Sequence, residues 1–372
     1  MRLIIEKGAL LRALNHVTSV VERRNTIPIL SNVLLEADGE ELKLTATDLE
    51  REVIERVPSR VENPGSITVS AHMVHDIVRK LPEGAEIEVQ SGPEDGRMTL
   101  SSGQSRFSLQ ALPASDFPTL EAGAMDHQFQ IPSKDLKRLI EKTRFAISTE
   151  ETRYYLNGIY LHAASTDGKE TLRAVATDGH RLAQVEFPIP EGAIGMPGVI
   201  VPRKTVNEVH RLVEDGEDMV EVGVSESKIR FSVGPLILTS KLIDGTFPDY
   251  GRVIPEANDK FMHVRNGEFA SAVDRVSTLS SDKGRAVKLN IDGGNLILSV
   301  NNPDSGSVTE QLTVDYEFEP MEIGFNARYL LDISGLLESE TACFKLADPG
   351  SPTMVTEEGD HSALYVLMPM RV

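Results

Sequence analysis

The stretch Leu42-Lys43-Leu44-Thr45-Ala46-Thr47-Asp48 returns 130 positions later as Leu172-Arg173-Ala174-Val175-Ala176-Thr177-Asp178. Arg51 falls on Arg181 at the same offset, and Phe117-Pro118 falls on Phe247-Pro248. A third copy follows 124 positions further on as Leu296-Ile297-Leu298-Ser299-Val300-Asn301-Asn302. That offset also carries Val199, Val201, Val206 and Val209 onto Ile323, Phe325, Leu330 and Ile333. Apolar positions held in register over three segments define a repeated structural unit. In each copy an alternating strand leads to an amphipathic helix, then to several strands with turn signals between them. In copy one the spacing predicts helices over roughly 8–21, with Leu10, Leu11, Leu14 and Val17 on one face, and over 71–81, with Val74, Ile77, Val78 and Leu81. Ser70 and Ser133 stand where N-caps are expected, and Pro202 suits a first helical turn. Gly84 and Gly216 follow their helices as stop signals, and Pro-Glu-Asp-Gly at 93–96 reads as a hairpin turn. Polar, Gly- and Pro-containing joins at 121–127 and 250–257 predict three domains of α+β type, at 1–122, 127–251 and 253–372.

A chain of 372 residues with 40% hydrophobic and 26% charged residues has the balance of a folded, water-soluble protein. Trp is absent and aromatics make up 5%, so the core is aliphatic. No apolar run approaches the roughly 20 residues of a membrane span. Met1-Arg2-Leu3-Ile4-Ile5-Glu6 alternates like a strand and has no signal-peptide character. One cysteine, Cys343, excludes an intrachain disulfide, and a reducing cytoplasm is the expected compartment.

The formal net charge of −19 argues, taken alone, against a nucleic-acid partner. Its distribution argues otherwise. Six helical windows, two per copy (8–24, 71–81, 133–144, 202–213, 266–279 and 326–337), hold 15 Lys and Arg against 8 Asp and Glu. The rest of the chain holds 23 against 49. The two windows of the third copy carry no positive surplus. Positive charge gathered on one class of element, on an otherwise acidic body, is the footprint of a surface that meets phosphates; the other reading is ordinary decoration of solvated helix faces.

No phosphate-binding glycine loop and no nucleophile elbow occurs. His72 and His75 share a helix at i,i+3, with no third metal ligand nearby in sequence. Asp178 and His180 could form an acid–base pair. The repeat offers a second explanation, because Thr47-Asp48 matches Thr177-Asp178 while Glu50 stands in place of His180, and an Asp recurring at a strand end suits an Asx-type turn. Cys343, within Ala342-Cys343-Phe344-Lys345-Leu346, reads as a small core residue. Features shared between copies are structural, so function belonging to one copy belongs where it departs from the others. Copy two replaces Leu49, Glu50 and Glu52 with Gly179, His180 and Leu182, which makes a small, apolar-lined spot. The last residues, Leu364-Tyr365-Val366-Leu367-Met368-Pro369-Met370-Arg371-Val372, are apolar almost throughout, and they either complete a sheet, contribute to an exposed groove, or do both.

Tyr154-Tyr155-Leu156-Asn157-Gly158 and Ala176-Thr177-Asp178-Gly179-His180-Arg181-Leu182 resemble the sliding clamps, the beta subunits of bacterial DNA polymerase III. So do Val201-Pro202-Arg203-Lys204, Phe247-Pro248-Asp249-Tyr250 and Met368-Pro369-Met370-Arg371, and the similarity runs the full length. The resemblance implies three repeated clamp domains, each of two β-α-β-β-β units. It further implies a head-to-tail homodimer closed into a ring, with helices lining the hole and antiparallel sheets outside. Such a ring binds double-stranded DNA without sequence preference and catalyses nothing itself; no cofactor, metal or membrane is implied. Its partners are the replicative polymerase alpha subunit, the clamp-loader delta subunit, and other polymerases and repair proteins carrying short linear motifs. By similarity, Arg12, Arg24, Tyr154, Tyr155, Arg203 and Lys204 face DNA, and Thr149 and Glu150 occupy positions where relatives often carry His and Gln. The peptide cleft maps to Leu156, Thr177, Gly179, His180, Arg181, Leu182, Pro248, Arg252 and Val253, closed by Val366, Met368, Pro369, Met370 and Arg371. Phe107 and Leu109 map to one side of the subunit contact and Leu279 to the other.

Overall fold

The computed structural model describes residues 1–372 except 93–95, 121–122, 167, 214–217, 281–285 and 372. Copy one runs β1 (Arg2–Glu6), α1 (Lys7–Val17), β2 (Asn32–Asp38), β3 (Glu41–Thr47) and β4 (Arg51–Pro58). After a short β5 (Arg60–Asn63) the pattern repeats as β6 (Gly65–Ser70), α2 (Ala71–Lys80), β7 (Glu86–Ser91), β8 (Arg97–Ser102) and β9 (Ser105–Leu112). Copy two runs β10 (His127–Pro132), α3 (Ser133–Thr143), β11 (Gly158–Thr166), β12 (Lys169–Thr177) and β13 (Arg181–Pro188). Its second half is β14 (Val199–Pro202), α4 (Arg203–Leu212), β15 (Met219–Val224), β16 (Lys228–Val233) and β17 (Leu236–Lys241). Copy three runs β18 (Lys260–Arg265), α5 (Asn266–Ser277), β19 (Ala286–Asp292), β20 (Asn295–Asn302) and β21 (Gly306–Thr313). It ends with β22 (Met321–Asn326), α6 (Ala327–Ser334), β23 (Thr341–Leu346), β24 (Thr353–Glu357) and β25 (Asp360–Leu367). Every half-copy is thus β-α-β-β-β, and each of the six windows chosen from sequence contains a helix. No helix among the described residues is long and apolar enough to cross a membrane.

The backbone separates into two compact units that are out of phase with the three copies: residues 1–136, 190–193 and 204–242, and residues 137–189, 194–203 and 243–372. The first holds one antiparallel sheet of 13 strands, ordered β10-β15-β16-β17-β4-β3-β2-β6-β9-β8-β7-β1-β5. The second holds a sheet of eight, β14-β11-β12-β13-β25-β24-β23-β18, and one of four, β21-β20-β19-β22. Copy two therefore gives strands to both units. Its β17 lies on β4 of copy one, with Leu238 opposite Val53 and Ser240 opposite Arg51. Its β13 lies beside β25 of copy three, with Ala183 opposite Tyr365 and Arg181 opposite Leu367.

The helices bury the stripes their spacing sets up. In α1 Leu10, Leu14 and Val17 are buried, and in α2 Val74 and Val78, each such side chain contributing roughly 1.5–3 kcal/mol relative to exposure. The ends differ from expectation. The first helix stops at Val17 and passes into a 3-10 turn at Thr18–Val20, so Arg23 and Arg24, counted as helical charge, lie in the loop beyond. Ser70 occupies its N-cap position without a side-chain cap bond, and the Ser133 hydroxyl donates to the Asp218 carbonyl instead. Pro202 ends β14 rather than entering α4.

At four of the six helices one arrangement stands in for a local cap. The strand runs directly into the helix, and the first helical N–H is taken by a carbonyl of the sister half-copy. Lys7 donates to Ala85, Ser133 to Asp218, Arg203 to Asn157 and Asn266 to Glu340, at 2.8–2.9 Å. A donor satisfied by backbone needs no Ser side chain or proline. The α2 helix ends on extended Leu81, ahead of Pro82. Gly84, at φ +68°, sits in the turn that Ala85 N–H closes on the Pro82 carbonyl rather than capping the helix. Gly216 and the first three residues of the 93–96 turn lie outside the described residues.

Candidate nucleic-acid and peptide sites

The two matched turns have the same bonding. Thr47 Oγ1 donates to the Arg51 carbonyl and accepts from Leu49 N–H, while Asp48 Oδ1 accepts from the N–H groups of Glu50 and Arg51. Thr177 and Asp178 do the same for Gly179, His180 and Arg181. The third turn residue has φ +72° as Leu49 and +88° as Gly179. Both aspartates also hold the guanidinium three residues on. Asp178 is therefore a turn residue with its oxygens occupied, and it makes no bond to the His180 ring among the described residues.

Arg51 extends from its turn to the Lys204 carbonyl, at 3.2 Å. Arg181 extends to Asp332 Oδ2 and the Phe145 carbonyl, at 2.5 and 2.6 Å, with its guanidinium 4.9 Å from the Phe145 ring centroid and 4.2 Å from that of Tyr329. Burial pushes the Tyr329 phenol pKa upward. The charge and donors of Arg181 are thus held internally, so its side chain braces the turn that carries Gly179 and His180.

Pairing of β13 with β25 sets Leu182 against Val366, and both join a buried cluster with Leu156, Val175, Ile200 and Phe247. Tyr155, Tyr160, Ile243, Tyr250, Ile254 and Leu364 pack around it, half-buried. Residues to Leu367 complete the sheet; beyond it Met368 N–H donates to the His180 carbonyl and Met370 N–H to that of Gly324, while the Met368 side chain is 41% exposed. Thr177, Pro369 and Met370 are half-buried, and Pro248, Arg252, Val253 and Arg371 are exposed, Arg252 pairing with Asp249. Gly179 holds the left-handed φ of this turn, and a Cβ there would lie 2.6 Å from Arg153 Nη1, which would have to shift. Sequence reading missed Tyr160, Val175, Ile200, Ile243 and Ile254 in this cluster; their apolar character was legible, but not their convergence.

Of the residues assigned to DNA, Arg12 is exposed on α1 and Arg24 on the loop after it. Tyr154 is 54% exposed, with Tyr155 edge-on 5.7 Å away. Arg203 and Lys204 open α4, and Lys204 bonds Glu22 at 2.9 Å. Glu150 accepts two bonds from Arg153, at 2.7 and 2.8 Å, so this acid is neutralised locally. Part of the helical positive charge is internal. Lys7 pairs with Glu83, Arg138 with Asp360, and buried Lys142 with buried Glu357 and the Leu336 carbonyl.

His72 and His75 meet the Val21 carbonyl and Asn15 Oδ1, and no group of three metal-ligating side chains occurs among the described residues. Cys343 is buried, which pushes its thiol pKa up, as a core residue would have it. On the remaining expected surface, Phe107 is half-buried and Leu109 buried on β9, and Leu279 is half-buried just past α5. A cavity of about 540 Å³ beside Phe107 is lined by Met73, Ile77 and Leu81 of the α2 region.

Three family models match in succession: DNA polymerase III beta subunit, N-terminal domain over residues 1–121, central domain over 130–249, and C-terminal domain over 251–371. The beta sliding clamp of Caulobacter vibrioides is 53% identical over 372 residues, covering all of both chains. That of Escherichia coli K12 is 42% identical over 373 residues, again covering all of both. A crystal structure of the Caulobacter crescentus clamp superposes with a TM-score of 0.98 at 53% identity, covering 100% of this chain and 99% of that one. The Bartonella birtlesii clamp bound to griselimycin gives 0.97 at 52%, covering all of both. The chain belongs to the DNA polymerase III beta subunit family, the bacterial sliding clamps.

Proposed function

We infer that two copies of this chain close head to tail into a ring around duplex DNA and tether the replicative polymerase to it, without catalysing a reaction. One observation carries the reading. The last strand of a copy lies on the neighbouring copy twice within the chain, as β17 on β4 and as β25 on β13, and in both places the pairing buries matched side chains. Leu238 and Tyr365 are 2% and 0% exposed, and their partners Val53 and Ala183 are both 0%. Among the described residues the first copy's counterpart, β9, has no such neighbour along Ser105–Leu109, and β21 ends the four-stranded sheet. At the matching positions Phe107 and Val308 are only half-buried. Two complementary edges at opposite ends of a repeat array make a heterologous contact, which closes a ring when the rotation allows.

Within that ring, residues 1–122, 127–251 and 253–372 are the domains, and Phe107, Leu109 and Leu279 lie at the contact. Arg12, Arg24, Tyr154, Tyr155, Arg203 and Lys204 face the duplex, which carries about one negative charge per 1.7 Å of axis. A modest positive lining holds DNA without fixing register, and the acidic remainder repels it. The Leu156–Leu182–Val366 cluster, with His180, Pro248, Arg252, Val253 and Met368 at its margin, accepts short apolar peptide motifs from the polymerase alpha subunit, the loader delta subunit and repair proteins. Methionine and leucine suit a pocket that repacks around several partners. The cytoplasm is where it works. The test is retention of the dimer, loaded on nicked circular DNA, before and after linearisation. Loss on linearising is expected, and equal retention on both forms refutes encirclement.

A further inference from the structure

A cavity of about 410 Å³ lies wholly within the second compact unit, between the segment that follows α3, the 178–181 turn, Arg203 and the amino end of α6. At roughly 30 Å³ per molecule it has room for on the order of a dozen waters, far more than a packing void. Four arginines line it, Arg144, Arg181, Arg203 and Arg328, against two carboxylates, Glu150 and Asp178. Both carboxylates already have cations, Arg153 and Arg181 respectively. Arg144 and Arg203 are exposed and have no ion pair among the described residues, and Arg328 reaches only the edge of Asp332, at 4.0 Å. The first turn of α6 adds partial positive charge at the same place. Three guanidinium groups from three separate segments, with their local acids already neutralised, leave a surplus that calls for an anion.

We propose that this notch seats a backbone phosphate of the encircled duplex, with Arg144 and Arg328 acting beside Arg203. The proposal rests on the DNA-encircling reading. It explains how a chain with an acid at position 150 keeps affinity for DNA on that side: Glu150 is clamped by Arg153, and the phosphate contacts pass to arginines that the motifs do not mark. Guanidinium forks match phosphate oxygens bidentately, and phosphate contacts position DNA without reading sequence, as a sliding protein requires.

The test compares wild type with Arg144→Gln/Arg328→Gln, using anisotropy of a fluorescent 30-mer duplex between 50 and 200 mM salt. Arg60→Gln/Arg97→Gln, which removes two exposed cations from β5 and β8, controls for net charge. Losing the notch should weaken binding about tenfold at low salt on every duplex sequence, and flatten the slope of log K against log salt by about 1. The control pair should do neither, and Arg144→Lys/Arg328→Lys should recover most of the affinity with an unchanged thermal midpoint. Equal losses in notch and control variants, or no loss in either, overturn the proposal. Weakened binding of a glutamate-rich peptide with DNA affinity intact overturns it in favour of an acidic protein partner. If wild type itself is not retained on circular DNA, the encircling reading fails first and the phosphate site with it.

Discussion

The open edges of β9 and β21 lead to a register that can be trapped chemically. Phe107 is the counterpart of Leu238, because β8–β9 and β16–β17 are joined by two-residue turns that both begin with glycine at φ +54°. Val308 is the counterpart of Val53, because Ala46 opposes Val53 as Val300 opposes Val308. Since Leu238 faces Val53 within the chain, Phe107 of one protomer should face Val308 of its partner. Directly opposed residues of an antiparallel pair have Cα atoms about 4.5–5.5 Å apart, inside the range of about 4.4–6.8 Å that a disulfide tolerates. A slip of two residues puts the same Cα roughly 7–8 Å from its diagonal neighbour, beyond easy bridging. The only native cysteine, Cys343, is buried, so an engineered pair reports cleanly. Phe107→Cys/Val308→Cys should therefore oxidise to a covalent dimer with two bridges, seen on non-reducing gels and by intact mass. Phe107→Cys with Gly306→Cys or Glu310→Cys should link poorly. A doubly bridged ring formed on nicked circular DNA should stay threaded through denaturant and leave on reduction. Preferential linking at 306 or 310 refutes the register; a dimer that links at none of the three refutes strand continuation altogether.

Phe107→Asp should weaken dimerisation by about tenfold or more at each contact, since burying an aromatic side chain contributes roughly 1.5–3 kcal/mol; sedimentation would show monomer at concentrations where wild type is dimeric. Lys142→Met leaves Glu357 buried without its cation and should cost about 3–5 kcal/mol in urea unfolding, with part regained in Lys142→Met/Glu357→Leu; a loss below about 1 kcal/mol would mean that water reaches the pair. Gly179→Ala, which forces a Cβ into a left-handed turn against Arg153, should cost about 1–2 kcal/mol. Leu49→Gly at the matched turn should be near neutral, because relief of strain is offset by about 0.5–1 kcal/mol of glycine entropy, and thermal unfolding distinguishes the two. Burial would raise the Asp360 pKa, but bonds from the Ser362 hydroxyl and N–H and the charge of Arg138 outweigh it and hold the carboxyl below its ordinary value. Its stabilising contribution is therefore full above about pH 4 and lost as pH falls through the lowered value; Asp360→Asn should remove that part of the acid dependence in titrations of stability.

The repeat was legible because inward-facing positions recur. Leu42 and Leu44 match Leu296 and Leu298, all buried, and their offset is the one the strand registers keep. The turn role of Asp178 was legible for the same reason, since Asp48 repeats it in copy one. Helix starts were misread because local rules assume that a helix caps itself. Here Ser133 N–H finds Asp218, 85 positions away, and no short window contains both. Charge was overcounted for a similar reason: Lys142 meets Glu357 across 215 positions, so a cation that counts toward a helix face is part of the interior. Arg144, Arg203 and Arg328 likewise come from three segments that only the tertiary structure assembles.

That the compact units are out of phase with the copies bears on how the chain can be cut or recombined. Breaking it at the joins, after residue 122 or near residue 252, strips β17 from β4 or β25 from β13 and leaves long open edges able to template aggregation. Copies one and two are each finished by a strand belonging to the next, so a single repeat is not an exchangeable module. What selection can duplicate, swap or lose here is the seam together with both of its flanks.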